Sequence, residues 1–211
     1  MDANPTQLVS RPLLLELGRW LGGPARLALR LLGWRLGSPP PDLPRYVVAA
    51  AYHTSNLDGI YMLLFSLAFG VRLNFLIKAS WFRGPLGPLV RALGGVPIDR
   101  SARHDTVAQI AAAFRRRQQM ALLIAPEGTR KKTPYWKTGF YYIALEAGVP
   151  IVLAYLDYGR RVGGFGPVIH PSGDIEADLA IIRAFFADVT PRFPERAGEV
   201  RPRPRSEAGG A

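Results

Sequence analysis

Short apolar segments alternate with helix-like segments along most of this 211-residue chain, and the alternation restricts the folds open to it. Apolar runs of this length, bounded by Gly, Pro and polar residues, are typical of strands buried in a sheet. Because alternating strands and helices pack as layers, we predict a single α/β domain with a mixed, largely parallel central sheet flanked by helices. The predicted strands are 46–51, 73–77, 96–99, 121–125 and 149–155. The predicted helices are 57–70, 106–119, 137–147 and 174–189, and 84–93 is predicted to be a helix or turn.

The N-terminal region carries a different pattern. Leucines and two tryptophans alternate with arginines between Leu13 and Leu36, and Gly22-Gly23-Pro24 is expected to divide this stretch into a pair of short amphipathic helices. Basic amphipathic helices are typical of proteins that lie on a membrane surface, although the same pattern suits helices packed on their own domain. We predict membrane-associating helices at 1–37, a main domain at 38–193 and a disordered tail at 194–211.

Composition narrows the classes of partner and of chemistry. The chain has 27 basic and 16 acidic residues, and its formal net charge of +11 favours an anionic partner such as nucleic acid, anionic lipid or a phosphorylated substrate. The abundance of Arg with Ala, Gly and Pro is equally explained by genomic base composition. The absence of cysteine excludes a disulfide scaffold, a thiolate zinc site and a cysteine nucleophile. We see neither a signal peptide nor an apolar run long enough to span a bilayer.

The segment His53-Thr54-Ser55-Asn56-Leu57-Asp58 lies where a predicted strand ends and a predicted helix begins. Histidine suits proton transfer near neutral pH, and a carboxylate can orient the ring and stabilise its charged form. Residues five apart point away from each other on a regular helix, so His53 can meet Asp58 only from the preceding turn. The alternative is that Ser55 or Asn56 merely caps the helix.

Further polar segments follow other predicted strands. Asp99-Arg100 ends the segment GGVPIDR, and Arg100 could hold a phosphate or form a surface ion pair. Glu127-Gly128-Thr129-Arg130 follows the strand 121–125 directly, with Lys137 beyond it. A polar turn would account for Gly128 but not for the density of charge around it. Pro150 opens the last predicted strand.

In this order, the segments HTSNLD, GGVPIDR, PEGTR and VPIV resemble the glycerolipid acyltransferase superfamily of the lysophosphatidic acid acyltransferase type. The resemblance runs from about Tyr46 to Tyr155. It implies an O-acyltransferase that moves a fatty acyl group from an acyl thioester to a hydroxyl of a phosphate-containing glycerol or lysophospholipid, in phospholipid biosynthesis or remodelling. Residues 38–193 would then be the catalytic domain.

The resemblance also implies roles for individual residues. His53 would be the general base and Asp58 would orient it. Substrate-binding positions would be Arg100 and Arg130 for the acceptor phosphate, Glu127 to position the acceptor or the loop, and Gly128, Thr129 and Lys137 beside them. No cofactor and no metal are expected beyond the acyl-CoA or acyl carrier protein co-substrate.

Two other classes of function remain open. A non-catalytic peripheral protein that binds anionic lipids would explain the basic helices but not the spacing of His53 and Asp58. Nucleic-acid binding is not expected, because no recognised module interleaves the basic residues with aromatic ones. For either lipid-related function, the expected partner is a membrane phospholipid surface. The expected location is the cytoplasmic face of the inner or plasma membrane.

Overall fold

A computed structural model describes residues 13–98 and 106–202. Its strands are β1 (Arg35–Leu36), β2 (Arg45–Ala50), β3 (Leu73–Lys78), β4 (Gly95–Ile98), β5 (Met120–Ile124), β6 (Ile151–Asp157) and β7 (Val162–Ile169). Its helices are α1 (Leu13–Leu31), α2 (Asn56–Phe69), α3 (Gly87–Ala92), α4 (Thr106–Arg115), α5 (Gly139–Ala147) and α6 (Ile175–Phe186), with short 3-10 helices at Ala79–Phe82 and Pro194–Arg196.

The strands form one sheet in the order β1-β7-β6-β2-β5-β3-β4. The neighbouring strands run parallel except for the antiparallel pair β6 and β7. This confirms the predicted α/β class with a mixed, largely parallel sheet.

The central strand β2 is buried on both faces, as expected of a parallel strand covered by helices. Successive side chains point to opposite faces. Val47 and Ala49 therefore join the core formed with α4, α5 and α6, whereas Tyr46 and Val48 join the core under α2. Helices thus cover both faces of β2, and the polar segments that connect strands to helices lie at the ends of the strands.

The strands β1 and β7 were absent from the sequence prediction. β7 contains Gly163, Gly164 and Gly166, and glycine is disfavoured in strands. The glycines of β7 leave space for the side chains that pack on the strand. A Cβ at Gly163 would lie 2.5 Å from the ring of Phe65, and one at Gly166 would lie 2.4 Å from the ring of Phe185. The glycines therefore let aromatic rings from α2 and α6 pack directly on the strand.

The predicted break at Gly22-Gly23-Pro24 is wrong, because α1 continues through Pro24 as one helix. Packing against α2 outweighs the local tendency to break. Ala25 and Leu29 are buried against α2, and the Arg26 Nε donates to the carbonyl of Ala68 at 2.9 Å. A Cβ at Gly22 would lie 3.3 Å from the Leu67 carbonyl oxygen, so glycine permits the close approach of the two helices.

The predicted disorder is also wrong for residues 194–202. The backbone N–H of Trp136 donates to the carbonyl of Arg201, and Val200 is buried in the main core. The Arg183 Nε donates to the Val200 carbonyl at 2.8 Å. Composition did not predict an ordered segment here, because the segment is held by one buried valine and by hydrogen bonds to its backbone, and neither is visible in composition. Residues 203–211 of the predicted tail lie outside the described residues.

Candidate active site

The candidate site forms at the carboxyl edge of the sheet. β2 and β5 are parallel neighbours, so the segments that follow them emerge side by side. His53 follows β2 and Glu127 follows β5. The backbone N–H of His53 donates to the Glu127 Oε1 at 3.2 Å. The structure thus brings these two segments together at the carboxyl ends of their strands, where α/β folds place their sites.

A tight turn holds His53 immediately before α2. Ser55 is the N-cap of the helix, and its Oγ accepts a hydrogen bond from the Leu57 N–H at 3.1 Å. Asp58 reaches back, and its Oδ2 accepts the N–H groups of Thr54 and Ser55, each at 2.7 Å. This is a capping box, in which side chains satisfy the free N–H groups of a helix N-terminus. The capping interpretation and the pairing of His53 with Asp58 are therefore compatible, because Asp58 serves both.

The His53 Nδ1 lies 3.8 Å from the Asp58 Oδ2. The distance fits an electrostatic pair but is longer than a hydrogen bond. Oδ2 already accepts two backbone hydrogen bonds, which accounts for the gap. Burial lowers the pKa of His53, Asp58 raises it, and Arg130 lowers it, with a net lowering. The ring is therefore neutral near pH 7, the state in which it can accept a proton.

Tyr158 forms a further hydrogen bond to Asp58, and no pattern in the sequence predicted this contact. Its hydroxyl donates to the Asp58 Oδ1 at 2.6 Å, from the loop that joins β6 to β7. Burial and the bond to Asp58 raise the pKa of Tyr158, so it stays protonated and able to donate. The ring packs edge-on against Trp34, with their centroids 5.0 Å apart. Trp34 is buried and therefore belongs to this support rather than to a membrane-facing surface.

Glu127 is buried, and its Oε1 accepts a hydrogen bond from the backbone N–H of His53. Burial raises the pKa of this carboxyl to about 7, while hydrogen bonds from its own backbone and from His53 act in the opposite direction. Its Oε2 is buried with no partner among the described residues. Oε1 therefore holds the His53 backbone, and Oε2 has the capacity to accept a further hydrogen bond.

The rest of the predicted loop is accessible. Gly128 adopts a left-handed conformation (φ 62°), and a Cβ there would lie 2.7 Å from the Lys137 Nζ. Lys137 thus covers the glycine, and its backbone N–H donates to the Pro126 carbonyl at 2.8 Å. The Thr129 Oγ1 accepts from the Lys131 N–H at 3.3 Å. Arg130 and Lys137 are exposed, and Arg130 lies close enough to His53 to influence its pKa.

Arg100 was predicted to bind phosphate, but Asp99 and Arg100 lie outside the described residues. β4 ends at Ile98 on the same edge of the sheet as β2 and β5. The structure therefore brings the start of this segment to the correct edge. The role of Arg100 stays a prediction.

The C-terminal segment contacts the His53 turn and was missed by the sequence reasoning. The Phe193 N–H donates to the Thr54 Oγ1 at 3.3 Å, and the Arg196 Nη1 donates to the Thr54 carbonyl at 3.5 Å. Arg192 lies over the ring of Tyr158, 5.8 Å from its centroid. Proline and arginine in this segment suggested only disorder, and no periodic pattern linked it to His53.

A pocket of about 150 Å³ opens beside His53. His53, Asp58 and Gly59 form its polar side, while Met62 and Leu156 contribute apolar side chains. It lies between the start of α2 and the ends of the central strands, and it offers an apolar group access to the imidazole.

The sequence profile of the acyltransferase family matches residues 41–156, which is more than half of the chain. The chain belongs to the acyltransferase family. Among solved structures, the acyltransferase resembles the crystal structure of PlsC, a 1-acyl-sn-glycerophosphate acyltransferase from Thermotoga maritima, with a TM-score of 0.51 and 19% identity over 80% of this chain and 74% of that chain. At this identity the likeness shows the fold. A search of curated proteins finds no match.

The family region of this acyltransferase contains the predicted catalytic and substrate-binding residues, whereas α1, Tyr158 and the C-terminal segment lie outside it. The family supports acyl transfer as the type of activity. Within the described residues, no helix is both long and apolar enough to cross a membrane. The same residues contain no cluster of three or more His, Cys, Asp or Glu side chains suited to a metal ion.

Proposed function

We propose that this acyltransferase transfers a fatty acyl group from an acyl thioester to a hydroxyl of a phosphate-containing glycerol or lysophospholipid acceptor. The observation that carries the proposal is the position of His53, whose ring faces Asp58 while its backbone is held by Glu127. A neutral imidazole beside a buried carboxylate is suited to accept a proton from an alcohol and to be stabilised once charged.

In the proposed reaction, the acceptor hydroxyl gives its proton to His53 as its oxygen attacks the thioester carbonyl carbon. The tetrahedral intermediate then breaks the carbon–sulfur bond, and the thiolate takes the proton from His53. The products are an ester and a free thiol. Asp58 stabilises the imidazolium that exists between these two steps. We assign the reacting end of the donor to the pocket beside His53, because its apolar side chains suit an acyl group.

We assign the acceptor phosphate to the cations at the same edge of the sheet. Arg130 acts on the His53 pKa and is exposed, so its guanidinium is close to the reacting group and free to bind an anion. Lys137 lies over Gly128 in the same loop. Arginine holds phosphate through paired hydrogen bonds, and a charge-assisted bond of this kind contributes more than a neutral one. Arg100 is proposed as a further ligand.

We also propose that the protein lies on a membrane phospholipid surface, as a peripheral or monotopic protein on the cytoplasmic side. Exposed apolar side chains on α1 support this, since Trp20 and Leu31 are each 79% exposed and Leu27 is 57% exposed. Ile60 and Leu63 of the adjacent α2 are also exposed. Large exposed apolar side chains on neighbouring helices are typical of a surface that contacts another apolar phase.

The activity is tested by thiol release from acyl-CoA and from acyl carrier protein, with lysophosphatidate or the matching phosphate-free monoacylglycerol as acceptor. We expect release that depends on the acceptor and is faster with the phosphate. Vesicle binding without thiol release for any acceptor would instead favour the non-catalytic lipid-binding protein.

The membrane contact is better tested by substitution than by deletion, because removing residues 1–36 would also remove Trp34 and β1. We expect Trp20→Ser, Leu27→Ser and Leu31→Ser together to weaken binding to anionic vesicles. The matched control is Tyr142→Ser, Leu145→Ser and Ile181→Ser, which changes exposed apolar residues on α5 and α6. If both sets of substitutions weaken vesicle binding equally, the membrane contact cannot be assigned to α1.

A further inference from the structure

A cavity of about 700 Å³ opens at the amino edge of the sheet, opposite the edge that carries His53. It is lined by the first residues of β2, β3 and β5, including Tyr46, Asn74 and Met120. His53 lies seven positions after Tyr46, at the opposite end of β2, which places the cavity roughly 20 Å from the imidazole. It is therefore distinct from the proposed acceptor site.

Three arginines line this cavity: Arg72, Arg116 and Arg117. No aspartate or glutamate is among the lining residues, and no ion pair within the described residues involves any of the three. Burial lowers the pKa of both Arg72 and Arg117, and Arg117 lowers that of Arg72 further. The cavity thus concentrates positive charge that the described part of the protein does not neutralise.

Contacts with the rest of the protein use only part of the hydrogen-bonding capacity of these arginines. Arg72 donates from Nη2 to the Arg91 carbonyl at 3.1 Å, and Arg117 donates from Nη1 to the Met120 Sδ at 3.5 Å. A guanidinium has five N–H donors, so most of their hydrogen-bonding capacity remains. The Arg72 Nε is buried without an acceptor among the described residues. Arg116 is exposed, and none of the side-chain hydrogen bonds between described residues involves it.

We propose that this cavity binds a phosphate-bearing small molecule of about the size of a nucleotide. Its volume lies within the range of about 300–1,000 Å³ that ligand pockets occupy. The guanidinium groups match phosphate oxygens in charge and in geometry. Pro40, Leu43, Tyr46 and Val71 supply an apolar wall for the uncharged part of such a ligand. The ligand comes either from free nucleotide or from the nucleotide end of coenzyme A.

Isothermal titration calorimetry of the full chain, at about 0.15 M salt to screen weak surface contacts, tests the site without any turnover. The probes are ATP, coenzyme A and inorganic pyrophosphate, with adenosine as the phosphate-free control. We expect saturable binding of ATP or coenzyme A, and none of adenosine. Pyrophosphate binding without binding of either larger ligand would overturn the assignment of size, and no saturable binding at all would overturn the site.

The chain offers a matched pair of variants. Arg115 and Arg116 are adjacent and both exposed, but only Arg116 lines the cavity. We expect Arg116→Ala to weaken binding about tenfold or more, as for loss of a charge-assisted bond, and Arg115→Ala to change it less than about twofold, as for a screened surface charge. Equal weakening by the two variants would show that net charge alone attracts the ligand, and would overturn the proposal.

Competition separates the two sources of ligand. If coenzyme A displaces ATP and Arg116→Ala raises the KM for acyl-CoA but not for acyl carrier protein, the occupant is the nucleotide end of the donor. If ATP still binds in the presence of saturating coenzyme A, the occupant is a free nucleotide. Because binding is measured directly, it can succeed even where the proposed acyl transfer fails, and the reverse also holds.

Discussion

The turn that carries His53 and the loop that carries Arg130 lie side by side at one edge of the sheet, yet they are built differently. In the turn, both oxygens of the Asp58 carboxylate accept hydrogen bonds, and Glu127 holds the His53 backbone. In the loop, Arg130 and Lys137 are exposed.

The difference separates two requirements. A proton-transferring group must be held in place before the reaction, so its neighbours are fixed by the protein. A phosphate-binding group must exchange water for the ligand, so its donors are left accessible. Substitutions in the turn should therefore change the chemical step, and substitutions in the loop should change acceptor binding.

The largest expected effect is that of His53→Ala. Loss of the general base should lower kcat by about 10² to 10⁴, while the fold is retained because the capping box does not use the imidazole. His170→Ala removes an exposed histidine away from the turn and should leave kcat unchanged. Steady-state thiol release and thermal unfolding of both variants check this, and a few-fold loss in a folded His53→Ala protein would remove His53 from the mechanism.

Glu127→Gln tests, through stability, the carboxylate that holds the turn from the segment after β5. The pKa of Glu127 rises from 4.5 to about 7 on folding, so the native state holds this proton more tightly and loses stability as pH rises between these values. Glutamine does not titrate, so the variant does not lose this stability as pH rises. The stability of the variant relative to the parent should therefore increase by about 3 kcal/mol between pH 4.5 and pH 8. Denaturant unfolding across this range measures it, and a difference independent of pH would contradict the buried, titrating carboxyl.

Arg130→Ala tests the loop. Loss of a charge-assisted phosphate contact should raise the acceptor KM by about 10- to 100-fold, equivalent to about 1.5–3 kcal/mol. Arg130 also lowers the pKa of His53, so its removal should move the acid limb of the kcat/KM profile to higher pH. Lys132→Ala removes an exposed charge from the same loop and should do less. A rise in donor KM instead would assign the phosphate contact to the donor.

Tyr158→Phe should give the smallest effect. The Asp58 carboxylate would lose the 2.6 Å hydrogen bond to its Oδ1 but keep the two backbone bonds to Oδ2. We expect kcat to fall by about tenfold, the lower end of the cost of a hydrogen bond to a charged group. Tyr61→Phe is the matched control, because its ring also packs against Trp34 without a hydrogen bond to Asp58 among the described contacts. Equal effects of the two variants on kcat would show that the aromatic cluster matters and the Asp58 bond does not.

The sequence predicted the α/β class and the polar segments at the ends of the strands, because apolar strands and polar strand ends are local patterns. It also placed His53 on the turn before α2, from the fact that residues five apart diverge on a helix. These inferences need only neighbouring residues and the rule that parallel strands end at one edge.

The features that escaped prediction depend on distant parts of the chain. Tyr158 contacts Asp58 across a sequence separation of 100 residues, and Phe193 contacts Thr54 across 139. β7 was missed because its glycines have the wrong propensity for a strand and are explained only by the rings that pack on them. The continuity of α1 through Pro24 likewise follows from its packing on α2, which no local pattern shows.

The contacts of Thr54 have a consequence for the newly made protein. The turn that carries His53 is made early, but its partners Tyr158, Phe193 and Arg196 leave the ribosome more than 100 residues after His53. A nascent chain that has already formed β2 and α2 therefore carries His53 and Asp58 without their full support. The contacts to Thr54 form only after residue 196 has been made, so a chain cut short before residue 190 would hold the family motifs without the support of Thr54.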